Sequence, residues 1–210
     1  ATITDGTLTA TDIILGNDAT GNGTLAIASE ASVTKLNSLT IGYKGKGELV
    51  TESDIEAAST AIGTAASSAT VAGGATLTTG YLGINGTLTL GDEDDEATGK
   101  VTVNGDLQLG STGTINIAKK TPKEEHSILT TNGNALIYGS VNNAGVWTAN
   151  GSTLNYGTIT NDGSLGVTSS MTSWGTIKGA GSLAVAQKGD TIAIVEVKTR
   201  KNANFADAKD

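Results

Sequence analysis

The sequence contains no cysteine, and only one proline, one histidine, one methionine and one phenylalanine among its 210 residues. Without cysteine there are no disulfides and no Cys-ligated metal, which suits a protein that crosses an oxidising compartment without becoming cross-linked. With one histidine, any His-based triad would have to be built around His126. That residue sits in a charged stretch with no identifiable nucleophile partner and reads as surface. Aromatic residues are scarce as well, with four Tyr and two Trp beside the one Phe. A compact globule relies on large side chains, because these bury the most apolar area per ordered residue. A thin core suits this composition better, in which each coil adds two or three small or β-branched side chains and stacks on the next.

No apolar run approaches the roughly 18 residues of a membrane span, and no charged-then-apolar leader is present. The chain opens on Ala1 and reads as a processed or excised fragment, so any membrane attachment would come from parts of the gene outside it. Lys and Arg number 13 against 21 Asp and Glu, a net charge of −8. This balance argues against nucleic acid or an anionic membrane as partner.

What fills the chain instead is glycine, 29 residues of it, with Thr, Ala, Ser and Asn. Such a composition could also be disordered, but periodicity argues otherwise. Tyr138-Gly139-Ser140-Val141 is followed by Tyr156-Gly157-Thr158-Ile159 and then, at the same interval, by Trp174-Gly175-Thr176-Ile177. Each phrase continues to a further glycine, at Gly145, Gly163 and Gly181, and then into a second alternating run. A fixed period of about 20 residues, with short strands punctuated by Gly and Asn, is the signature of a solenoid. Successive coils stack at roughly 4.8 Å. Tyr138, Tyr156 and Trp174 are thus expected to form an aromatic ladder, and Val141, Ile159 and Ile177 an aliphatic one.

The first half carries a looser unit. Ile13-Ile14-Leu15-Gly16 leads to Leu25-Ala26-Ile27, Leu39-Thr40-Ile41-Gly42 to Leu49-Val50, and Leu88-Thr89-Leu90-Gly91 to Val101-Thr102-Val103. Unequal spacers predict loops of different size bulging from a regular coil. Asp54 to Ala58 and the Ala/Ser run behind it could form a short helix, although the surrounding Thr and Gly favour continued solenoid. Lys119 to His126, with the only proline, reads as a protruding loop or a break between two solenoid segments.

The phrases Leu39-Thr40-Ile41-Gly42-Tyr43-Lys44-Gly45-Lys46-Gly47-Glu48-Leu49 and Gly157-Thr158-Ile159-Thr160-Asn161-Asp162-Gly163-Ser164-Leu165-Gly166-Val167 resemble autotransporter passenger domains and related secreted, haemagglutinin-like β-helical adhesins. The resemblance is one of repeat style over most of residues 1–187. It implies an all-β fold, a single right-handed parallel β-helix with about 18–22 residues per coil and protruding loops. It also implies a secreted protein on a bacterial cell surface, acting in adhesion, self-association or biofilm formation. The partners would then be a host or surface glycan or protein, or another copy of the chain, and the role would not be enzymatic. The alternatives are a filament subunit joined through its terminal strands and a β-helical polysaccharide-active enzyme.

Residues 188–210 read as a terminal coil, a cap or a strand-donating tail with a basic patch at Lys198, Arg200 and Lys201. Ile192, Ile194, Val195 and Val197 form its candidate assembly strand. Glu196-Val197-Lys198 resembles the Glu-x-Lys strand of nuclease-like folds. Leu183, however, stands where that pattern needs a metal-binding Asp, and no carboxylate lies between Trp174 and Gly189. Two further candidates remain. Asp92, Asp94 and Asp95 lie in an acidic run that could hold calcium through oxygen ligands, with a solvated loop as the plainer reading. Tyr138, Tyr156 and Trp174 could stack on sugars if they face outward, with a core or corner position as the alternative.

Overall fold

A computed structural model of the chain describes residues 1–91, 98–119 and 126–185. Among them there is no helix, and every pairing between strands of the three sheets is parallel. The local reason is the alternation of the sequence. In Thr158–Asn161 the residues Thr158 and Thr160 are half-buried while Ile159 and Asn161 are buried, the period-two pattern of a strand with one wet face.

Three such strands make one turn. Ser140–Asn143, Val146–Ala149 and Thr153–Asn155 follow one another around the coil, and Thr158–Asn161 then lands on Ser140–Asn143. The first face stacks nine strands, from Thr2–Ile3 to Thr176–Lys178. The second and third faces are separate in most turns but fuse at Ile55–Ile62. That long strand pairs with Leu36–Ile41 on one side and with both Thr76–Thr79 and Leu82–Ile84 on the other. The protein is therefore a β-solenoid of about eight turns. The stretch around Asp54 that could have been a helix is its longest strand. Burial alternates at first and then shifts, with Ile55, Ala57, Thr60 and Ile62 inside.

Coil length is less uniform than the repeat phrases led one to expect. From Ser140 onward strands pair at a constant interval of 18, as in Thr153↔Met171, Val167↔Val185 and the bonded amides of Asn143 and Asn161. Earlier the interval is 24 for Leu25↔Leu49, 26 for Ile13↔Leu39 and 28 for Val101↔Leu129. The extra residues sit at corners, where the chain can leave the stack without unpairing it. One such insertion follows Gly91, and another leaves at Lys119 and returns at His126. The second is closed at its base by an antiparallel Lys119↔His126 bridge and by Ser127 N–H donating to Ala118 C=O at 3.2 Å. The solenoid is not interrupted there, because register continues across the insertion in Ile115↔Val141 and Leu129↔Trp147.

The core is thicker than two or three side chains per coil. Each of the three faces turns two residues inward, so one turn supplies six. In the turn that begins at Thr87 these are Leu88, Leu90, Val101, Val103, Leu107 and Leu109, all fully buried. Two turns later the six are Val141, Asn143, Trp147, Ala149, Thr153 and Asn155. Interior polarity thus rises toward the carboxyl end, and the turn that holds the one interior Trp also turns the smaller Ala149 and Thr153 inward. The expected aliphatic ladder is present, with Val141 over Ile159 over Ile177 in register.

Candidate binding stripe on the third face

The third face ends in a corner, and the residue at that corner changes along the solenoid. Register places Gly16, Gly42, Gly63, Asn85 and Gly110 there in successive turns, and then Tyr138, Tyr156 and Trp174. Each aromatic is followed by a glycine that cannot be replaced without a clash. A Cβ on Gly157 would lie 2.0 Å from the carbonyl oxygen of Gly139, and one on Gly175 would lie 2.0 Å from that of Gly157. This close approach of stacked corners fixes the direction in which each preceding side chain leaves the coil.

The three rings point outward and stack on one another. Tyr138 and Tyr156 have centroids 5.0 Å apart at 14° between planes, and Tyr156 and Trp174 are 4.8 Å apart at 13°. These distances match the strand spacing of about 4.8 Å, so the backbone repeat sets them. The three residues are 44%, 44% and 50% exposed; Tyr156 has both faces covered and meets solvent by its edge, while Tyr138 and Trp174 each have one stacked face. Two residues earlier on each strand, Leu136 is half-buried and Leu154 exposed, both on the same outward side. The stripe carries no charge. Between His126 and Ala186 the only ionisable Asp, Glu, Lys or Arg residues are Asp162 and Lys178.

Two more exposed aromatics lie outside the repeated phrase. Tyr43, at the next corner position in an early turn, holds the Lys44 ammonium 5.4 Å from its ring centroid. Tyr81, at the corner between the second and third faces, donates its hydroxyl to Gln108 Oε1 at 2.9 Å. Neither recurs at a fixed interval, so no repeat signal marked them.

The remaining candidates fall elsewhere. Asp92, Asp94 and Asp95, and the tail with Ile192, Ile194, Val195 and Val197, lie outside the described residues. Among the described residues no three His, Cys, Asp or Glu side chains converge as a metal site would require. His126 was read as surface, yet it is half-buried at the base of its loop, and its Nδ1 has no hydrogen-bond partner among the described residues. The bridge to Lys119 draws it toward the coil.

Fold and stripe together define a repeat protein of the β-solenoid class with an exposed aromatic column. No protein-family model, curated protein or solved structure matches the chain.

Proposed function

We propose that this solenoid is an adhesin-type binding and scaffolding surface, secreted and displayed on a bacterial cell, and that it acts without catalysis. One observation carries the reading. Of seven aromatic residues in the chain, all four Tyr and Trp174 are exposed, and only Trp147 is buried among the described ones. A sequence so poor in aromatics would gain most stability by placing them inside. Exposed apolar side chains gathered in one place mark contact surfaces, and Tyr and Trp are the residues that most often anchor them.

The ring geometry favours a protein surface over a sugar at this stripe. A row of stacked sugars needs an open face on successive rings, whereas Tyr156 has both faces covered and presents its edge, with Leu154 exposed beside it. A protein partner, on a host cell or on a neighbouring copy, can pack apolar side chains against the edges of such a column.

The test is adhesion of beads coated with the folded chain to epithelial and bacterial cell layers. The comparison is with a Tyr138→Ser, Tyr156→Ser, Trp174→Ser variant whose circular dichroism is unchanged. Adhesion by the parent, reduced at least ~10-fold in the variant (about 1.4 kcal/mol) and abolished by protease treatment of the cells, is the expected outcome. Equal adhesion by both proteins, or none by the parent, contradicts the proposal.

A filament joined through terminal strands is the second reading. The strands of the opening turn, Thr2–Ile3, Gly6–Leu8 and Asp12–Leu15, each pair on one side alone among the described strands, and Ile3, Leu8, Ile13 and Leu15 there are half-buried. Its test is growth with concentration, taken up in the Discussion.

A further inference from the structure

A second feature lies at the far end of the first face's strands, away from the aromatic stripe. It is a groove of about 740 Å³, within the size range of ligand sites. Its floor is a row of outward hydroxyls and amides in register, Thr70, Thr89, Asn116, Asn142 and Thr160. Four strand spacings separate the first from the last, roughly 19 Å. Its depth comes from the adjoining corner, where small residues succeed one another at Gly91, Ala118 and Ala144 before Asp162 closes the column.

We infer that this groove binds an extended, uncharged oligosaccharide lying along the solenoid axis. Three properties of the site lead to that chemistry. Among the described residues that line it the groove is neutral apart from the carboxylate of Asp162 at one end, and the chain as a whole carries a charge of −8. Neither suits an anionic polymer. An extended peptide is poorly served too, because the backbone N–H and C=O groups of these strands are bonded to the turns on either side. Strand addition needs a free edge, and the face of a stack has none.

Hydroxyl and amide side chains remain as the recognising groups, and a polyol is the ligand that pairs with them. Asn142 Nδ2 donates to Asn116 Oδ1 at 2.9 Å, which orients both amides. Among the described residues Asn116 Nδ2 is left as a donor and Asn142 Oδ1 as an acceptor, one strand spacing apart. A hydroxyl both donates and accepts, so neighbouring hydroxyls of a sugar chain satisfy such a pair. The repeat of the row along the axis suits a polymer better than a monosaccharide.

The inference is independent of the stripe and is tested separately from it. The folded chain is applied to an array of neutral, unsubstituted oligosaccharides from mono- to hexasaccharides, with sulfated and uronate-containing chains alongside. Affinities for the bound members are then measured by calorimetry. Binding to at least one neutral chain, stronger for the longer members and weakened ~10-fold or more in an Asn116→Ala, Asn142→Ala variant, is expected (about 1.4 kcal/mol). An Ala144→Arg variant fills the corner of the groove without touching the Asn pair and should weaken binding equally, so a fold effect of the first variant cannot be mistaken for loss of contacts. The Tyr138→Ser, Tyr156→Ser, Trp174→Ser protein should bind as the parent does. Absence of neutral-chain binding at millimolar concentration, preference for the charged chains, or binding indifferent to both groove variants overturns the inference.

Discussion

At the residue scale the interior of the carboxyl-terminal turns is organised by amides as much as by aliphatic groups. Asn143 Nδ2 donates to Asn161 Oδ1 at 2.7 Å and to Ser164 C=O at 2.9 Å, and Asn161 Nδ2 repeats the second contact with Ser182 C=O at 2.8 Å. Each asparagine ends a first-face strand and ties it to the start of the second-face strand in the next turn, giving that serine carbonyl an additional donor. Replacing Asn161 by Leu removes the partner of Asn143 and the donor to Ser182 together. The expected loss is about 2 kcal/mol, read as a lower denaturant midpoint with little change in slope.

Trp147 has no exposure, and its Nε1 has no partner among the described residues, whereas Trp174 is half exposed. A Trp174→Phe protein should thus emit at short wavelength and resist acrylamide. A Trp147→Phe protein should emit at long wavelength and be quenched readily. Equal quenching of the two would contradict the placement of both residues.

At the element scale the unit is one turn of three short strands and three corners, and corners absorb what strands cannot. The carboxyl-terminal turns were legible in the sequence because their corners hold nothing extra, so Tyr138, Tyr156 and Trp174 recur at one interval and betray the period. The earlier turns hid theirs behind insertions. Ile115 and Val141 are stacked neighbours at an interval of 26, like Asn116 and Asn142 beside them, and the segment from Lys119 to His126 accounts for the excess over the later turns. Ile55–Ile62 was ambiguous for a different reason, since its inward Ala57 and Thr60 give little apolar contrast to the outward Glu56 and Ser59.

The aromatic column was visible as a repeat, but its orientation was not. A fixed interval places residues over one another without saying on which side of the backbone they lie. Tyr43, Tyr81 and the groove, built from single residues of five turns with unequal spacing, left no pattern at all.

The insertion also yields a direct test. Deleting residues 119–126 joins Ala118 to Ser127, giving a short corner like Ala144-Gly145 in the next turn. The shortened protein should keep its β spectrum and melt within a few degrees of the parent. Loss of cooperative melting would show that the loop is part of the fold.

At the scale of the whole molecule, each turn touches only its neighbours, so stability accumulates turn by turn and the stack is as rigid as its ladders. Nine strands along the first face span roughly 40 Å at the strand spacing, a short rod that holds an aromatic column and a polar groove at fixed positions along one axis. The proposed reading requires a free-standing stack that presents such surfaces, whereas the filament reading requires stacks that join end to end. Sedimentation velocity over a concentration series, with circular dichroism on the same samples, separates the two and tests the fold at once. The account predicts a β-rich monomer of 20.9 kDa, more elongated than a sphere, whose sedimentation coefficient does not rise with concentration. A random-coil spectrum would contradict the solenoid, and steady growth into long β-rich assemblies would contradict the free-standing surface.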